Sequence, residues 1–429
     1  MRRATNTSSA FVPIDVLPLE ILSQIFKFSA LPFDCANWCH QISRRHPLVV
    51  IPAVCAQWRK LAISTRSLWS YIYVNGGISH DESNPNAHQW TKLLLDRSKG
   101  APLSLHFHGD PYERRPDIER VATFLQPYIS NVTSLVFDLL VGQVVPTILE
   151  LYSSHLPLVS LTTLSLTYIE NPTTWAGFTW PVDALRGLRM LVLRRLPDML
   201  YPDVDVLAQI LLNNPHLHTM RIDHIGTSAL SNNNITRASL PHLKYLELTS
   251  ESSAVLGQQL SILEPSANEL NVVLIFSHSL DPKCSQEVQA FFERANVTEL
   301  SLRSSNPNDA AQIFTCLDSV PCLRELSLSD MGGLDGSALL SALLVTSDNR
   351  EALARFPNLR HLDISKTSID QVQLKQIVDI YQLSSIVLGY DLIFQGGPRG
   401  SMSDQDFLNW LRQRVDIVAS VGIDDEQDS

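Results

Sequence analysis

Cysteine, basic residues and long apolar runs are all scarce in this sequence of 429 residues. Six cysteines are too few for a disulfide framework, so we interpret them as reduced thiols of an intracellular protein. The 33 lysines and arginines are outnumbered by 44 acidic residues, and the net charge of −11 argues against binding to nucleic acid or an anionic membrane. No apolar run approaches the roughly 18 residues that span a bilayer, and no secretory leader follows Arg2 and Arg3. The expected location is cytoplasmic and/or nuclear.

Motifs for catalysis or cofactor binding are also absent. The sequence contains no G-x-S-x-G elbow, no Walker-type GK[ST] loop, no G-x-G-x-x-G and no H-E-x-x-H. Ligand-type residues cluster at Cys35, Cys39, His40 and His46, but a second C-x-x-C pair that would complete a zinc site is missing. His106 and His108 alternate along a predicted strand, and we interpret them as surface or strand-edge histidines. We therefore predict no enzyme activity, no cofactor and no metal.

The sequence does contain a repeat, L-x-x-L-x-L, from residue 102 to residue 395. Successive units begin at 188, 217, 243, 270, 297 and 323, and such spacings are typical of leucine-rich repeats with one strand and one helix per unit. The fourth and sixth positions of a unit point inward, while the third, fifth and seventh positions lie on the concave face. No unit buries its own leucines, so the array folds only as a stack. Between strands the pattern predicts convex helices, including one at 204–211 and a longer one over 339–353.

The predicted fold class is α/β: a short all-α module precedes a leucine-rich-repeat solenoid, whose curved parallel sheet is concave and whose helices are convex. The concave face is the predicted site of protein recognition, in which a few aromatic and arginine side chains dominate. The unit at Leu270 places apolar residues outward, which indicates either a partner-binding patch, or a register slip or cover from a neighbouring loop. The candidate substrate-binding residues are Arg194, Arg221, Tyr245, Glu247, Val272, Leu274, Phe276, Arg303, Glu325, His361 and Asp363.

The stretch from Ile14 to Val74 has a different pattern, typical of short amphipathic helices. Pro18 suits a first helical turn, where its missing N–H would have no intrahelical partner. Apolar residues follow at helical spacing in two runs, one containing Leu22 and Phe26 and one containing Trp58. Pro52 is expected to begin or end a helix. Roughly 60 residues of this kind bury too little surface to be stable without a partner or a neighbouring domain.

This stretch resembles the F-box, and the whole chain resembles F-box proteins with leucine-rich repeats from mushroom-forming fungi. The resemblance implies that the module binds a Skp-type adaptor, and through it a cullin–RING ubiquitin ligase, while the repeats hold a protein substrate for ubiquitin-dependent degradation. The alternative is a leucine-rich-repeat scaffold with no ligase role. The residues that carry the resemblance, and for which it implies adaptor contact, are Leu17, Pro18, Glu20, Ile21, Leu22, Ile25, Val54, Cys55, Trp58, Leu61, Leu68 and Trp69, with Phe26 and Ala62 completing the pattern.

Six segments are expected along the chain. They are a disordered N-terminus (1–13), the F-box-like module (14–75), a linker with a connecting helix that ends at Gly100 (76–101), the solenoid (102–395), a C-terminal capping helix (396–415) and an acidic tail (416–429).

Overall fold

The computed structural model describes residues 17–30, 47–75, 85–108, 118–138, 144–154, 161–168, 178–224, 236–265, 268–276, 281–304, 316–317, 319–329, 343–346, 352–365, 368–388, 393–395, 404–415 and 417–420. No helix among them is long and apolar enough to cross a membrane. The α-helices are α1 (Leu19–Ala30), α2 (Pro47–Val54), α3 (Ala56–Ser64), α4 (Pro85–Ser98), α5 (Ile118–Leu125), α6 (Val144–Ser154), α7 (Val204–Leu212), α8 (Ser253–Ser261), α9 (Pro282–Arg294), α10 (Gln371–Tyr381) and α11 (Asp404–Arg412), and short 3-10 turns lie at Arg66–Trp69, Ile129–Asn131 and Asp198–Leu200.

A single sheet of thirteen strands runs through the described part of the chain, and every neighbouring pair in it is parallel. Its strands follow one another in the order of the sequence. They are β1 (Tyr71–Asn75), β2 (Leu103–His108), β3 (Val132–Asp138), β4 (Thr163–Thr167), β5 (Met190–Arg194), β6 (Thr219–His224), β8 (Tyr245–Ser250), β10 (Leu270–Phe276), β11 (Val297–Ser304), β12 (Glu325–Ser329), β15 (His361–Ser365), β17 (Ser385–Leu388) and β19 (Ile417–Ser420).

Three small two-stranded sheets accompany the main sheet. They are β7 (Ala238–Leu240) with β9 (Leu263–Pro265), β13 (Leu344–Thr346) with β14 (Ala352–Ala354), and β16 (Ser368–Asp370) with β18 (Ile393–Gln395). The architecture is therefore the predicted α/β solenoid, in which one strand per unit joins a continuous parallel sheet and helices fill many of the connections.

The alternation of side chains along each strand builds the core. Cα pairing aligns the fourth and sixth repeat positions from strand to strand, for example Leu246 with Val272 and Leu248 with Leu274. Each of these side chains is buried, and full burial of one contributes about 1.5–3 kcal/mol. The two inward rows are Ile72, Leu105, Leu135, Leu164, Leu191, Met220, Leu246, Val272, Leu300, Leu326, Leu362 and Ile386, and Val74, Phe107, Phe137, Leu166, Leu193, Ile222, Leu248, Leu274, Leu302, Leu328, Ile364 and Leu388.

Asn214 ties two consecutive units together below the sheet. The helix α7, predicted at 204–211, is present at Val204–Leu212, and the chain turns after it at Asn214. The buried Asn214 side chain accepts a bond from the Leu188 N–H at 2.6 Å and donates to the carbonyls of Leu185 and Ile210, also at 2.6 Å. It thereby satisfies the Leu185 carbonyl of the preceding unit and, in its own unit, the Leu188 N–H and the Ile210 carbonyl.

The helices α8 and α9 pack closely against each other through a small residue and a shared cap. A Cβ on Gly257 would already be in van der Waals contact with the Cα of Cys284, at 3.4 Å, so the backbones of the two helices approach closely here. Asp281 is the N-cap of α9, where it accepts a bond from the Cys284 N–H at 2.7 Å and another from the Ser253 hydroxyl at 2.7 Å. One carboxylate therefore caps one helix and anchors its neighbour.

The sheet is longer at both ends than the predicted solenoid. Tyr71–Asn75, assigned from the sequence to the helical module, form the first strand, because Ile72 and Val74 alternate inward with the same period as the repeats. Ile417–Ser420, assigned to the acidic tail, pair in parallel with β17. The predicted capping helix is present as α11, and its apolar face buries Phe407 and Leu411.

Two other local predictions are wrong. The segment predicted as a helix over 339–353 contains the antiparallel strands β13 and β14, because short apolar and β-branched stretches such as Leu344-Val345-Thr346 also suit a strand pair.

Pro52 lies inside α2 rather than at its boundary, and the helix ends two residues later. A new helix then begins after Cys55, whose thiol accepts a bond from the Trp58 N–H at 3.4 Å.

Replacement of Asn214 by alanine removes three buried hydrogen bonds, and we expect it to lower the free energy of unfolding by about 2–4 kcal/mol. Asn213→Ala is the matched control, since that side chain makes one longer bond of 3.4 Å to the Val182 carbonyl. Urea denaturation followed by circular dichroism measures both variants. Equal losses in the two variants would contradict the role assigned to Asn214.

The Asp281 cap predicts a pH-dependent stability. Burial alone would raise the pKa of Asp281, but the bonds from Ser253 and Cys284 outweigh it and hold the pKa below its ordinary value. A lowered folded-state pKa gives stability that is complete above the unfolded pKa of about 3.9 and is lost as the pH falls through the folded value. Asp281→Asn should therefore destabilise the protein at pH 7 and lose most of that effect in acid. Denaturant unfolding of the wild type and the variant at pH 7 and at an acidic pH measures this. A stability difference between the two proteins that is the same at both pH values would contradict it.

Candidate binding surfaces

The open face of the main sheet, which corresponds to the predicted concave face, carries the outward side chains of every strand. In its central and C-terminal part, one row consists of third repeat positions and a second row of fifth positions. The first row runs through Thr219, Tyr245, Asn271, Glu299, Glu325, His361 and Ser385, and the second through Arg221, Glu247, Val273, Ser301, Ser327, Asp363 and Val387.

The centre of the open face is a cluster of paired charges around Glu247. Its carboxylate is buried, yet it lies 3.2 Å from the Arg194 guanidinium and 3.4 Å from the Arg221 guanidinium, and it accepts a 2.9 Å bond from the Tyr245 hydroxyl. The Arg221 guanidinium also stacks 4.6 Å from the centre of the Tyr245 ring. Burial, followed by the bond to Glu247, raises the pKa of Tyr245. The single negative charge of Glu247 is therefore paired with two arginines, and the three groups together carry a net charge of +1.

Beside this cluster lies an acidic groove, which we define by Glu299, Glu325, His361 and Asp363. It borders a cavity of about 450 Å³ that extends over strands β8 to β17. The Glu325 and His361 side chains are 51% and 45% exposed and lie 3.9 Å apart. Asp363 accepts a 3.0 Å bond from the Ser327 hydroxyl, and Glu299 accepts one from the Asn271 amide. The three carboxylates face a single histidine here, so the groove carries negative charge.

The N-terminal end of the open face carries a histidine pair with a carboxylate. His106 and His108 are buried, and His108 lies 3.5 Å from Asp138 on the adjacent strand. Burial lowers the pKa of His106 to about 4; the Asp138 carboxylate opposes this shift and the neighbouring His108 adds to it. The prediction that both are surface or strand-edge histidines is wrong, because the Tyr71 and Tyr73 rings pack against them from β1.

A third surface belongs to the helices α1 to α3. Twelve large hydrophobic side chains of the described residues are exposed, and eight of them lie on these three helices. Ile21, Ile25 and Phe28 recur at intervals of four and three residues and so share one face of α1. We call this group the helical apolar surface, and its members are Leu19, Ile21, Ile25, Phe28, Val49, Val50, Val54 and Ile63.

The helices turn their other faces inward. Leu22, Phe26 and Ala30 are buried in the core, and the Phe26 ring lies 4.9 Å from the Trp58 ring. Trp69 has no exposed surface: its indole N–H donates to the Ala62 carbonyl at 2.7 Å and the Arg97 guanidinium stacks on it at 4.3 Å. Trp69 therefore joins the helices to the first strand and to α4.

The structure corrects three of the implied adaptor contacts. Leu22, Leu68 and Trp69 are buried, so they hold the helices and the sheet together instead of meeting a partner. Of the rest, Pro18, Glu20, Ile21, Ile25 and Val54 are exposed, whereas Leu17, Cys55, Trp58 and Leu61 are half-buried. Sequence reasoning missed Leu19, Phe28, Val49, Val50 and Ile63, although the all-apolar composition of α2 is a signal for an unshielded helix.

The predicted apolar patch of Val272, Leu274 and Phe276 is also wrong, since all three side chains are buried. Leu270 pairs with Val297 but the next residue, Asn271, pairs with Glu299, so the register passes over one residue of β11. The unit that begins at Leu270 is therefore one residue shorter at its start. A one-residue slip exchanges the two faces of a strand. The side chains of Val273 and Ile275 occupy the open face instead, and Val273 borders the acidic groove.

The other predicted recognition residues lie on the open face. Arg194, Arg221, Tyr245 and Glu247 form the central cluster, and Glu325, His361 and Asp363 belong to the acidic groove. Arg303 is exposed next to it and donates a 2.9 Å bond to the Ser329 hydroxyl. Their role in binding stays a prediction. The cysteines and histidines of 35–46 lie outside the described residues.

No protein-family model matches the chain, and no curated protein matches it either. Among solved structures, the chain is similar to one in the "Crystal structure of Rad7 and Elc1 complex in yeast", over 90% of this chain and 91% of that chain. The identity is 14% and the TM-score is 0.40. Similarity at that level transfers neither a fold nor a function to this chain.

Proposed function

We propose that this chain is the substrate-recruiting subunit of an SCF-type cullin–RING ubiquitin ligase. In this proposal residues 14–75 form an F-box-like module that binds a Skp-type adaptor, residues 76–101 connect it to the repeats, and the solenoid binds a target protein. The observation that carries the proposal is the helical apolar surface, which concentrates most of the exposed large hydrophobic side chains of the described chain on three short helices.

Such a surface needs a partner. A cluster of eight large apolar side chains is far more than single scattered surface residues, and patches of this kind mark interfaces. The sides of α1 that face the chain are already occupied by its own core through Leu22 and Phe26. The exposed side is therefore available to a second protein, and an adaptor that covers Ile21, Ile25 and Val54 would remove this apolar area from water.

The solenoid supplies the second half of the proposed function. Its acidic groove is open, borders a cavity and is rimmed by exposed Glu325 and His361, so it suits a target segment that carries lysine or arginine. In the neighbouring Glu247 cluster the carboxylate is already paired with Arg194 and Arg221, so it is not available to a basic segment. The chain itself makes and breaks no covalent bond in this proposal, and its contribution to ubiquitin transfer is proximity.

Charge introduced into the helical apolar surface should abolish adaptor binding. We expect the full-length chain to co-purify with a Skp-type adaptor in a one-to-one complex, and Ile21→Asp with Val54→Asp to lose it, because both side chains are exposed and both carboxylates would be buried unpaired in the interface. Size-exclusion chromatography of the co-expressed proteins measures the complex.

Leu212→Asp is the matched control for this experiment. Leu212 is 45% exposed at the end of α7, close to the 48% of Ile21, but lies outside the helical apolar surface. The control should keep the adaptor. A double variant that still binds the adaptor would overturn the proposal. A wild-type chain that binds none would favour the alternative, a repeat scaffold without a ligase role.

Neutralisation of the acidic groove should weaken binding of a basic segment. We expect an arginine- and lysine-rich peptide to bind more tightly than a glutamate-rich one of equal length, with affinity that falls as salt rises. Glu325→Gln and Asp363→Asn should each weaken it roughly two- to fivefold, as partly exposed ion pairs contribute about 0.2–1 kcal/mol. Fluorescence anisotropy measures this, with Glu150→Gln on the exposed face of α6 as the control. Equal binding of the two peptides would exclude a basic partner.

A further inference from the structure

The histidine pair at the N-terminal end of the open face is unusual in its burial and in its arrangement. His106 and His108 both project from β2 on the same side, and β3 places Asp138 directly opposite His108. One candidate ligand atom from each residue lies within 4.8 Å of the other two. The whole-residue exposures of His106 and His108 are 1% and 6%, so neither imidazole is a solvated surface group.

Two ring nitrogens of this cluster lack hydrogen-bond partners. His106 Nε2 is buried without a partner, and an unpaired buried polar atom costs about 1–3 kcal/mol. His108 Nδ1 is also buried without a hydrogen bond, and its contact is an Asp138 carboxylate oxygen 3.5 Å away. His106 Nδ1 lies 2.7 Å from the Tyr71 hydroxyl. Whichever of these two groups donates that bond, Nε2 of His106 remains without a partner.

We propose that His106, His108 and Asp138 bind a divalent transition-metal ion, for which Zn²⁺ is the best fit. Two imidazoles and one carboxylate are a ligand set that zinc accepts, and three protein ligands leave a position for water or for a side chain of a bound partner. A cation at this point would give His106 Nε2 a partner and would bind His108 Nδ1 and the Asp138 carboxylate at the same time.

The surroundings suit a metal more than a simple ion pair. The contact of His108 with Asp138 at 3.5 Å engages one histidine only and leaves His106 Nε2 unexplained. Tyr71 holds His106 through its other ring nitrogen, which is the arrangement that orients a metal-binding imidazole. Ligand atoms of a tetrahedral zinc ion lie about 3.4 Å apart, as follows from bonds of roughly 2.1 Å. The present separations are at most 4.8 Å, so the ligand atoms would have to approach one another by no more than about 1.4 Å.

The site has a structural consequence. Tyr71 belongs to β1, the two histidines to β2 and Asp138 to β3, so a metal would cross-link the strands that follow the helical module. Metal binding to the folded state alone adds directly to stability. The N-terminal end of the solenoid would then be held by a metal ion as well as by its leucines.

The test is a zinc titration of the full-length chain after removal of metal by chelation. We expect one equivalent of Zn²⁺ to bind, by isothermal titration calorimetry, and to raise the melting temperature. Asp138→Asn, a shape-preserving change at a side chain that is 21% exposed, should weaken zinc affinity at least tenfold and abolish the rise. His106→Gln should do the same. Tyr71→Phe should weaken affinity roughly tenfold, because it removes the group that orients His106.

His216→Ala with His242→Ala is the control for nonspecific binding by surface histidines. These two rings lie 5.2 Å apart and are exposed, so their loss should leave the titration unchanged. A wild-type chain that binds no Zn²⁺, and also no Cu²⁺, the divalent ion that such ligands bind most tightly, would overturn the proposal. Wild-type affinity in Asp138→Asn, or loss of binding in the surface control, would overturn it equally.

Discussion

Continuous stacking of inward leucines is the constraint on which the rest of this structure depends. Each of the twelve strands of the main sheet from β1 to β17 contributes two buried apolar side chains at alternate positions, and neighbouring units complete the burial that none achieves alone. The same alternation sends every third, fifth and seventh position to the open face. The Glu247 cluster, the acidic groove and the histidine pair are therefore three regions of one surface, fixed in register by the leucines beneath them.

The helical module depends on this sheet for its own stability. Trp69 is buried between them, bonded to Ala62 in α3 and stacked under Arg97 in α4. The helices use one set of faces for this attachment and leave the other set apolar and exposed. The module is attached to the solenoid on one side and exposes apolar side chains on the other. It is therefore suited to connect the solenoid to an adaptor protein, which is the role that the proposed function assigns to it.

Periodicity was sufficient to predict the α/β solenoid, the inward rows and most outward residues, because a two-residue alternation leaves little freedom once leucines recur at a fixed spacing. It failed at Leu270, where a unit one residue shorter exchanges the faces, and at 344–354, where a short apolar stretch suits strand or helix. The histidine site was missed for another reason: His108 and Asp138 are 30 residues apart, and only the strand register shows that they are opposite. The exposed face of α1 was predicted in part, since the F-box-like pattern does not say which of its residues the chain itself buries.

Hydrogen exchange of the full-length chain, measured by mass spectrometry with and without a Skp-type adaptor, tests the central claim most directly. The amides of α1, α2 and α3 should gain protection when the adaptor is added, because the helical apolar surface is covered. The strands from β11 to β15 that line the acidic groove should exchange at the same rate in both samples, leaving that groove free for a target. Protection on those strands without any on the helices, or no protection anywhere, would contradict the claim that the helices bind the adaptor and the solenoid binds the target.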